Sequence, residues 1–358
     1  MAKTKTIYVD PDASGSNDGT SWTDAYTGLN TAISSSAADI TPLGSDEIHQ
    51  YLCRSSSGTA DSIGSTTMTF AGYSTTLTNY ISISGVDSFD GVWDTSSYRM
   101  VRASGTNADI FRANGTWDAV LKFQNLQIQC LRNANFITAF DFNHGTNTPN
   151  IFDVEIDRCI VRGPGASAVS LSWGIDIRSI GDAPACNMVI KNSLWYDWGR
   201  NVYEQGGTGQ DSFEFFNNTC LRTTNESIAN YTNTSSMKWY NNIILSGDTG
   251  TGLRFNYGDH DYNASNDTTN ASTNDVDLSS ISSLTEIFDT PTGDGDFNLV
   301  ANAPVIDEGT DLSSSGVTGD IAGTARGATW DIGCFEYVAA STPEEGKYSD
   351  QARVLYIS

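Results

Sequence analysis

The densest group of chemically capable side chains in this sequence is the segment "NSLWYDWGRNVYEQGG", residues 192–207. It carries two carboxylates, Asp197 and Glu204, and glycosidases use such a pair as acid and base or nucleophile at a separation of ~5–9.5 Å. The segment therefore predicts a glycosidase pair if it lines a groove. If it packs on the flank of the fold instead, the two carboxylates have no catalytic role.

Aromatic and cationic side chains of the same segment predict contacts with a sugar. Trp195, Trp198 and Tyr203 offer flat rings on which a sugar can stack, and Arg200 offers the planar group that binds a uronate carboxylate. The alternative is that these rings pack on the flank of the fold, where they bury apolar surface and bind no ligand.

A lyase would need a different set of residues. Lys191 or His144 would act as the base, and Arg178 would neutralise the uronate. Lys191 alternates with apolar neighbours in a strand-like run, so we expect its side chain to point outward, into a groove or into solvent. The other histidines, His49 and His260, are far apart in the sequence, and neither lies in a metal-binding motif.

The segment "DPDASGSNDG", residues 10–19, loosely follows the pattern of a calcium-binding loop. Asp10, Asp12 and Asp18 are the candidate ligands, but the bidentate glutamate that completes such a loop is missing. An aspartate-rich turn explains the same residues. The six cysteines form no CxxC pair, which argues against a zinc site. We therefore expect no cofactor, with calcium as the only alternative.

Composition narrows the class of protein. The 358 residues include 19 Lys and Arg against 43 Asp and Glu, a net charge of −24, and such a surface repels nucleic acid. The 33 glycines and the many Ser, Thr and Asn residues favour short strands joined by turns. No apolar stretch is long enough for a membrane span, and the first residues, "MAKTKTIYVDPDASG", lack the apolar region of a signal peptide.

Five segments share one pattern, in which alternating apolar residues lead to an asparagine corner and a second short strand follows. They are "VLKFQNLQIQC" (120–130), "DVEIDRCIVRG" (153–163), "NMVIKNSLWYD" (187–197), "SFEFFNNTCLRTT" (212–224) and "SMKWYNNIILSGD" (236–248). Aligned on the corner, they place Asn125, Arg158, Asn192, Asn218 and Asn242 at one position, and the unit recurs every ~24–34 residues. Such a period predicts a parallel β-solenoid.

Asparagine suits that corner for two reasons. It tolerates the left-handed backbone conformation, and when coils stack ~4.8 Å apart its amides can hydrogen-bond into a ladder. We therefore predict an asparagine ladder of Asn125, Asn192, Asn218 and Asn242, with Arg158 as an interruption.

Both ends of the chain resemble a known superfamily. The segment "IYVDPDASGSNDGTSWTDAYTGLNTAIS" (7–34) combines a strand, an Asp/Gly-rich turn and apolar residues at helical spacing, and "DIAGTARGATWDIGCFEY" (320–337) follows "FNLVANAPVIDEGTD" (297–311). These segments are similar to those of right-handed parallel β-helix proteins of the pectate-lyase-like superfamily, in bacteria and phages. The resemblance implies an all-β fold, a right-handed parallel β-helix solenoid with an N-terminal capping helix and a C-terminal extension.

The domain boundaries follow from these segments. We assign residues 1–45 to an N-terminal strand and capping helix, residues 46–337 to the parallel β-helix, and residues 338–358 to a linker and C-terminal docking tail. The tail, "VAASTPEEGKYSDQARVLYIS", ends in an apolar, β-prone run. Such a run predicts docking on the solenoid itself or strand addition to a partner.

The superfamily includes lyases, hydrolases, tailspikes and adhesins, so the fold leaves the function open. We favour a bacteriophage virion structural protein of the head-decoration, fibre or tailspike type, assembled in the host cytoplasm and binding host glycan. It would bind other virion proteins or copies of itself, as a homo-oligomer such as a trimer, through the tail. The alternatives are a polysaccharide lyase or glycoside hydrolase acting on acidic polysaccharide, and an extracellular or cell-surface adhesin-like protein. We expect no nucleic acid partner and no membrane insertion.

Overall fold

The described chain is built almost entirely from strands. The computed structural model describes residues 3–36, 47–64, 66–70, 75–87, 89–103, 109–112, 119–131, 137–144, 152–165, 172–179, 186–205, 212–223, 227–230, 237–246, 253–254, 258–267 and 271–339. Within them, the strands form three parallel sheets, which we name A, B and C, and a short antiparallel hairpin. The described residues contain one α-helix, α1 (Leu29–Ser36).

The strands of each sheet follow one another along the stack. Sheet A contains β1 (Lys3–Val9), β2 (Glu47–Cys53), β5 (Ile81–Gly85), β8 (Ala119–Gln124), β11 (Phe152–Asp157), β14 (Cys186–Lys191), β17 (Ser212–Phe216), β20 (Met237–Tyr240) and β23 (Asp259–Asp261). Sheet B contains β3 (Asp61–Ser62), β6 (Arg99–Arg102), β9 (Gln127–Cys130), β12 (Ile160–Arg162), β15 (Leu194–Tyr196), β18 (Thr219–Thr223), β21 (Ile243–Ser246), β24 (Ala264–Ser265) and β25 (Val276–Asp277).

Sheet C completes the stack. It contains β4 (Met68–Thr69), β7 (Phe111–Arg112), β10 (Ile137–His144), β13 (Ser172–Ser179), β16 (Arg200–Gln205), β19 (Ile228–Asn230) and β22 (Leu253–Arg254). Over much of its length the chain runs from sheet A to B to C and back to A, and we call one such passage a coil. Strand β11, for example, pairs in parallel with β8 of one neighbouring coil and with β14 of the next. The prediction of an all-β chain with parallel stacking is therefore confirmed.

The inner faces of the three sheets bury a continuous apolar core. In sheet A the core residues lie in register along the stack: Phe123, Ile156, Ile190, Phe215 and Trp239, all buried. Side chains alternate between the two faces of a strand, so the residues between them face outward. Each fully buried side chain of this size stabilises the fold by about 1.5–3 kcal/mol.

The pairing differs by one residue from the alignment made on the sequence. That alignment set Phe216 and Tyr240 level with Ile190, whereas the structure sets Phe215 and Trp239 there. An Asn-Asn pair fits the corner pattern in either register, and only the burial of the aromatic residues decides between them.

The corner between sheets A and B is accordingly formed by the first asparagine of each pair. The residues that take the left-handed conformation there have φ between 50° and 57°: Asn125, Arg158, Asn192, Asn217 and Asn241. Asn218 and Asn242 come one position later, so they do not occupy the corner with Asn125 and Asn192.

Helix α1 lies against the first strands. Its residues Leu29, Ala32 and Ile33 are buried, and its first backbone N–H donates to Asp61 Oδ2 of strand β3 at 2.8 Å. Ala25 is also buried but precedes the helix, which begins at Leu29.

Residues 278–339, which follow the last strand of sheet B, fold back along the outside of the stack. They include the hairpin of β26 (Phe288–Thr290) and β27 (Asp296–Leu299), whose aromatic residues join outward-facing apolar residues of sheet B in a second cluster. A smaller cluster joins Leu312, Val317 and Trp330 to Phe216 on the outer face of sheet A. The predicted docking tail lies outside the described residues from residue 340 onward.

Candidate functional site

The Trp-rich segment does not present its tryptophans to a ligand. Trp195 and Trp198 both expose 0% of their surface and belong to the core cluster, and Trp198 Nε1 donates to Val161 O at 3.1 Å. The prediction that these two rings stack on sugar is therefore wrong. The apolar surface of an indole makes it a good core residue, and the sequence pattern does not separate that role from sugar binding.

Asp197 lies in an internal ion pair. Its carboxylate is 2.8 Å from Arg222 Nη2 and 3.6 Å from Arg162 Nε, and the residue is buried with a left-handed φ of 65°. Burial raises the pKa of Asp197, and the two arginines oppose that shift. Arg222 also donates to Pro291 O and Gly293 O. Asp197 therefore has a structural role, because its partner Arg222 joins sheet B to residues 291–294.

Glu204 lies on another sheet. It belongs to strand β16 of sheet C, in register with Ile177 and Asn230, and its description is limited to the backbone. Asp197 and Glu204 are thus on different sides of the stack, and the structure describes no shared site for them.

Tyr203 and Arg200, in contrast, are half-buried and lie together on sheet C. The Arg200 guanidinium carbon lies 5.5 Å from the centre of the Tyr203 ring. The ring of Trp173 stacks on the ring of Tyr203, with the two ring centres 5.0 Å apart.

A polar row crosses the outer face of sheet C next to these rings. Strand pairing sets Arg112, Asp141, Asp176 and Tyr203 level on four adjacent strands. Asp141 faces outward because its neighbours Phe140 and Phe142 pack in the core. Two carboxylates on neighbouring strands repel each other when both are ionised, an electrostatic strain that the Arg112 guanidinium beside Asp141 relieves in part.

Asp141 shows that strain most clearly. Burial raises its pKa to about 7, with further contributions from the charges of Asp109 and Asp176 and an opposing one from Arg112. Asp141 Oδ2 accepts from Arg112 Nε at 3.0 Å, and Arg112 also pairs with Asp109. Within the described part of the chain, Asp141 Oδ1 is buried and has no hydrogen-bond partner.

The sequence contained a signal for these two aspartates. Asp141 lies in "AFDFN" and Asp176 in "GIDIR", each between apolar residues that alternate on a strand. An acidic residue at the outward position of a buried strand, repeated at the same place in the next coil, predicts a carboxylate pair.

Lys191 faces outward from sheet A, as predicted. Its Nζ lies 2.8 Å from Glu155 Oε1 and donates to Gly316 O at 3.2 Å, so both contacts hold it in place. Of the other lyase candidates, Arg178 lies on β13 opposite Asn143, and His144 follows Asn143 at the end of β10. Only the backbones of Arg178 and His144 are described. His49 is buried on β2, and His260 is half-buried on β23.

The calcium candidates make hydrogen bonds within the chain. Asp10 is 2.9 Å from Arg54 Nε, Asp12 accepts from Ser55 and Ser57, and Asp18 accepts from Ser16 and Thr20 in a separate turn. Among the residues that the structure describes, no group of three or more His, Cys, Asp or Glu residues could hold a metal ion. No described helix is long and apolar enough to cross a membrane.

The second asparagine of each pair points into the stack and connects successive coils. Asn218 N donates to Asn242 Oδ1 at 2.9 Å, and Asn242 N donates to Asn263 Oδ1 at 3.0 Å. Asn242 Nδ2 also donates to Asn263 Oδ1 at 2.9 Å, and Ser193 N donates to Asn218 Oδ1 at 3.0 Å. The column therefore runs through Ser193, Asn218, Asn242 and Asn263.

The first asparagine of each pair faces the C-terminal segment. Asn241 exchanges two hydrogen bonds with the backbone of Thr310, at 2.7 and 2.9 Å. With its amide oxygen facing Arg326, Asn217 accepts from Arg326 Nε at 2.8 Å and from Nη2 at 3.0 Å. Arg326 in turn pairs with Glu336 at 2.9 Å. The two asparagines of a pair thus have different structural roles.

Comparison with known proteins does not identify a family for this chain. The chain matches no protein-family model, and a search of curated proteins finds no significant match.

Proposed function

We propose that the chain forms a right-handed parallel β-helix, closed at its first coil by α1, and serves as a surface-exposed structural protein of a bacteriophage virion that binds glycan. Within that class it would be a head-decoration, fibre or tailspike-like protein. The proposal starts from the resemblance of residues 7–34, 297–311 and 320–337 to pectate-lyase-like β-helix proteins of bacteria and phages. It assigns glycan binding to the outer face of sheet C.

The construction of the stack supports a structural role. One apolar core runs from β1 to β21, and the asparagine column adds hydrogen bonds between coils inside it. Two of the candidate catalytic side chains form ion pairs within the chain. Asp197 pairs with two arginines, and Lys191 pairs with Glu155. A stack of this kind resists local opening, which suits a component exposed outside a cell.

One observation carries the glycan-binding part of the proposal: the half-buried Tyr203 and Arg200 lie together on sheet C, beside the buried Trp173 and in line with the buried Asp141 and Asp176. An aromatic face holds the C–H face of a sugar, and a guanidinium donates to its hydroxyls. Tyr203 and Arg200 are half-buried, so a ligand meets the row at this end.

Binding to a panel of neutral and acidic oligosaccharides tests this proposal. Calorimetry on the whole chain is expected to find a glycan that binds, and Tyr203→Ala is expected to weaken that binding at least tenfold. Lys238→Ala, on the outer face of sheet A, serves as the matched surface control and should leave binding on sheet C unchanged. If Tyr203→Ala has no effect on any bound glycan, the sheet C site is refuted.

A glycoside hydrolase is a second candidate, favoured specifically by Asp141. A carboxyl with a pKa near 7 beside a second carboxylate on the next strand is the arrangement in which one group donates a proton and the other acts as base or nucleophile. Release of reducing ends from the same panel tests it. Asp141→Asn should abolish that release, and release that persists in Asp141→Asn would refute this candidate.

A further inference from the structure

A second surface, on sheet A, has the features of a binding site. The outer face of sheet A contains a groove of about 290 Å³ whose floor is formed by strands β8, β11 and β14. One wall includes Leu77, whose surface is 74% exposed, and the other includes Ser315 of the C-terminal segment. The groove is therefore bounded by parts of the chain that are far apart in sequence.

The polar groups on the floor are fixed by contacts with one another. Glu155 is held between two ammonium groups, 3.1 Å from Lys122 Nζ and 2.8 Å from Lys191 Nζ. Burial disfavours the ionised form of Glu155, but the hydrogen bond and charge of Lys191, together with Lys122, outweigh it and lower the pKa. Beside them, Asn187 Nδ2 donates to Asp153 Oδ1 at 2.8 Å. Carboxylates and ammonium groups retain further hydrogen-bonding positions after one such contact.

The floor also carries apolar surface between these polar pairs. Val120 and Val189 lie on the outer side of the sheet and line the groove with Leu77. Alternating apolar patches and prealigned polar groups match a chain of sugar rings, which presents C–H faces and hydroxyls in turn.

Charge and backbone pairing identify the occupant further. The two lysines and the carboxylates of Asp153 and Glu155 cancel, so an acidic sugar would gain no net attraction and would approach a molecule of net charge −24. An extended peptide usually binds by adding to an open strand edge. Strands β8, β11 and β14 are each paired on both sides, so the groove offers a sheet face and no edge.

We propose that this groove is a second glycan-binding site, which takes a neutral oligosaccharide through Asp153, Asn187 and the Lys122–Glu155–Lys191 triad. It extends the glycan binding of the proposed function to a second surface, and the two are separable because the sites share no residue. With both sites, one molecule would bind either one glycan chain at both faces or a separate chain at each face.

Calorimetry with neutral oligosaccharides of two to six residues tests the site, with Tyr203→Ala as background so that sheet C no longer contributes. In that background, Asn187→Ala is expected to weaken the remaining binding at least tenfold, and Val189→Glu is expected to abolish it. Lys238→Ala, on the same sheet outside the groove, is the matched control and should leave it unchanged. Circular dichroism of each variant shows that the fold is retained.

The outcomes separate this proposal from the proposed function. Binding that depends on Tyr203 and is insensitive to Asn187→Ala and Val189→Glu would refute the groove and leave the sheet C site in place. Groove binding that survives Tyr203→Ala would support the second site even if sheet C bound no glycan. A dimer that Val189→Glu dissociates would show that a second copy of the chain occupies the groove, and would overturn the proposal.

Discussion

At the scale of single residues, the two asparagines of each Asn-Asn pair have different structural roles. The first asparagine takes the left-handed corner and contacts the C-terminal segment, and the second enters the buried column between coils. The sequence predicted the corner and the ladder, but it assigned both to one aligned position. A one-residue shift moves every side chain of a strand to the other face, so burial of Phe215 and Trp239 was needed to set the register.

Removal of one side chain from the asparagine column should lower the free energy of unfolding. Asn242 is fully buried, and Asn242→Ala would remove the side-chain bonds with Asn218 N, Asn263 Oδ1 and Phe215 O. Each buried polar group left without a partner costs about 1–3 kcal/mol, so we expect the free energy of unfolding to fall by about 3 kcal/mol or more in urea denaturation.

An exposed asparagine provides the control for that change. Asn187 lies on the outer face of sheet A with one side-chain bond, to Asp153. Asn187→Ala should change the free energy of unfolding by less than about 0.5 kcal/mol. Equal effects of the two substitutions would contradict the assignment of Asn242 to a buried column.

Asp141 predicts a dependence of stability on pH. Its pKa is about 7 in the folded chain against 3.8 for the unperturbed group, so the folded state holds a proton that the unfolded state loses above pH ~4. Stability from this group is complete below the unfolded pKa and is lost as pH rises through the folded pKa. From the size of the shift, the free energy of unfolding should fall by on the order of 2–4 kcal/mol between pH 5 and 8.

The substitution Asp141→Asn isolates this effect, since the amide has no proton to lose. Urea denaturation from pH 5 to 8.5 should show a flatter profile for Asp141→Asn than for the native chain, with the difference largest at the alkaline end. Parallel profiles would mean that Asp141 does not titrate in this range, and the acid role considered for it would then be refuted.

At the scale of elements, the strands were predictable and their packing partners were not. Period-2 alternation identified the sheet A strands of five coils, because inward residues must be apolar. The segment "DIAGTARGATWDIGCFEY" resembled a known terminal pattern, but its contacts could not be derived from spacing. The structure shows that Arg326 joins Glu336 to the corner at Asn217, more than a hundred residues earlier in the chain.

The Arg326 contact should hold the C-terminal segment against the stack. The Arg326 side chain is 1% exposed and pairs with Glu336, and removal of one partner of a buried ion pair costs about 3–5 kcal/mol. In Arg326→Met, hydrogen exchange at residues 305–337 should accelerate at least tenfold, with exchange in β11 and β14 unchanged.

A half-exposed pair gives the comparison for Arg326. The Lys238 side chain is 48% exposed and lies 2.8 Å from Glu214, and such pairs contribute about 0–1 kcal/mol. Lys238→Met should leave exchange of residues 305–337 as in the native chain. Acceleration throughout the stack in Arg326→Met would contradict a local clamp, since it would mean that the whole chain unfolds together.

At the scale of the whole molecule, the three outer faces have different surroundings. Residues 278–339 cover much of sheet B and the corner towards sheet A. Sheet C carries the carboxylate row, and the remaining part of sheet A holds the groove. The sequence could not predict this division, because it depends on which face the C-terminal segment covers. The excess of 43 anionic over 19 cationic residues is a property of the composition, and the absence of a nucleic acid partner expected from it stays a prediction.

The central claim, a virion structural protein that binds glycan, is tested most directly by immunogold electron microscopy of purified phage particles produced from a genome that encodes this chain. Antibody against the folded protein should label the outside of intact particles, and glycan-coated beads should retain those particles through the Tyr203-dependent site. Particles without label, with all of the protein free in the lysate, would contradict the account.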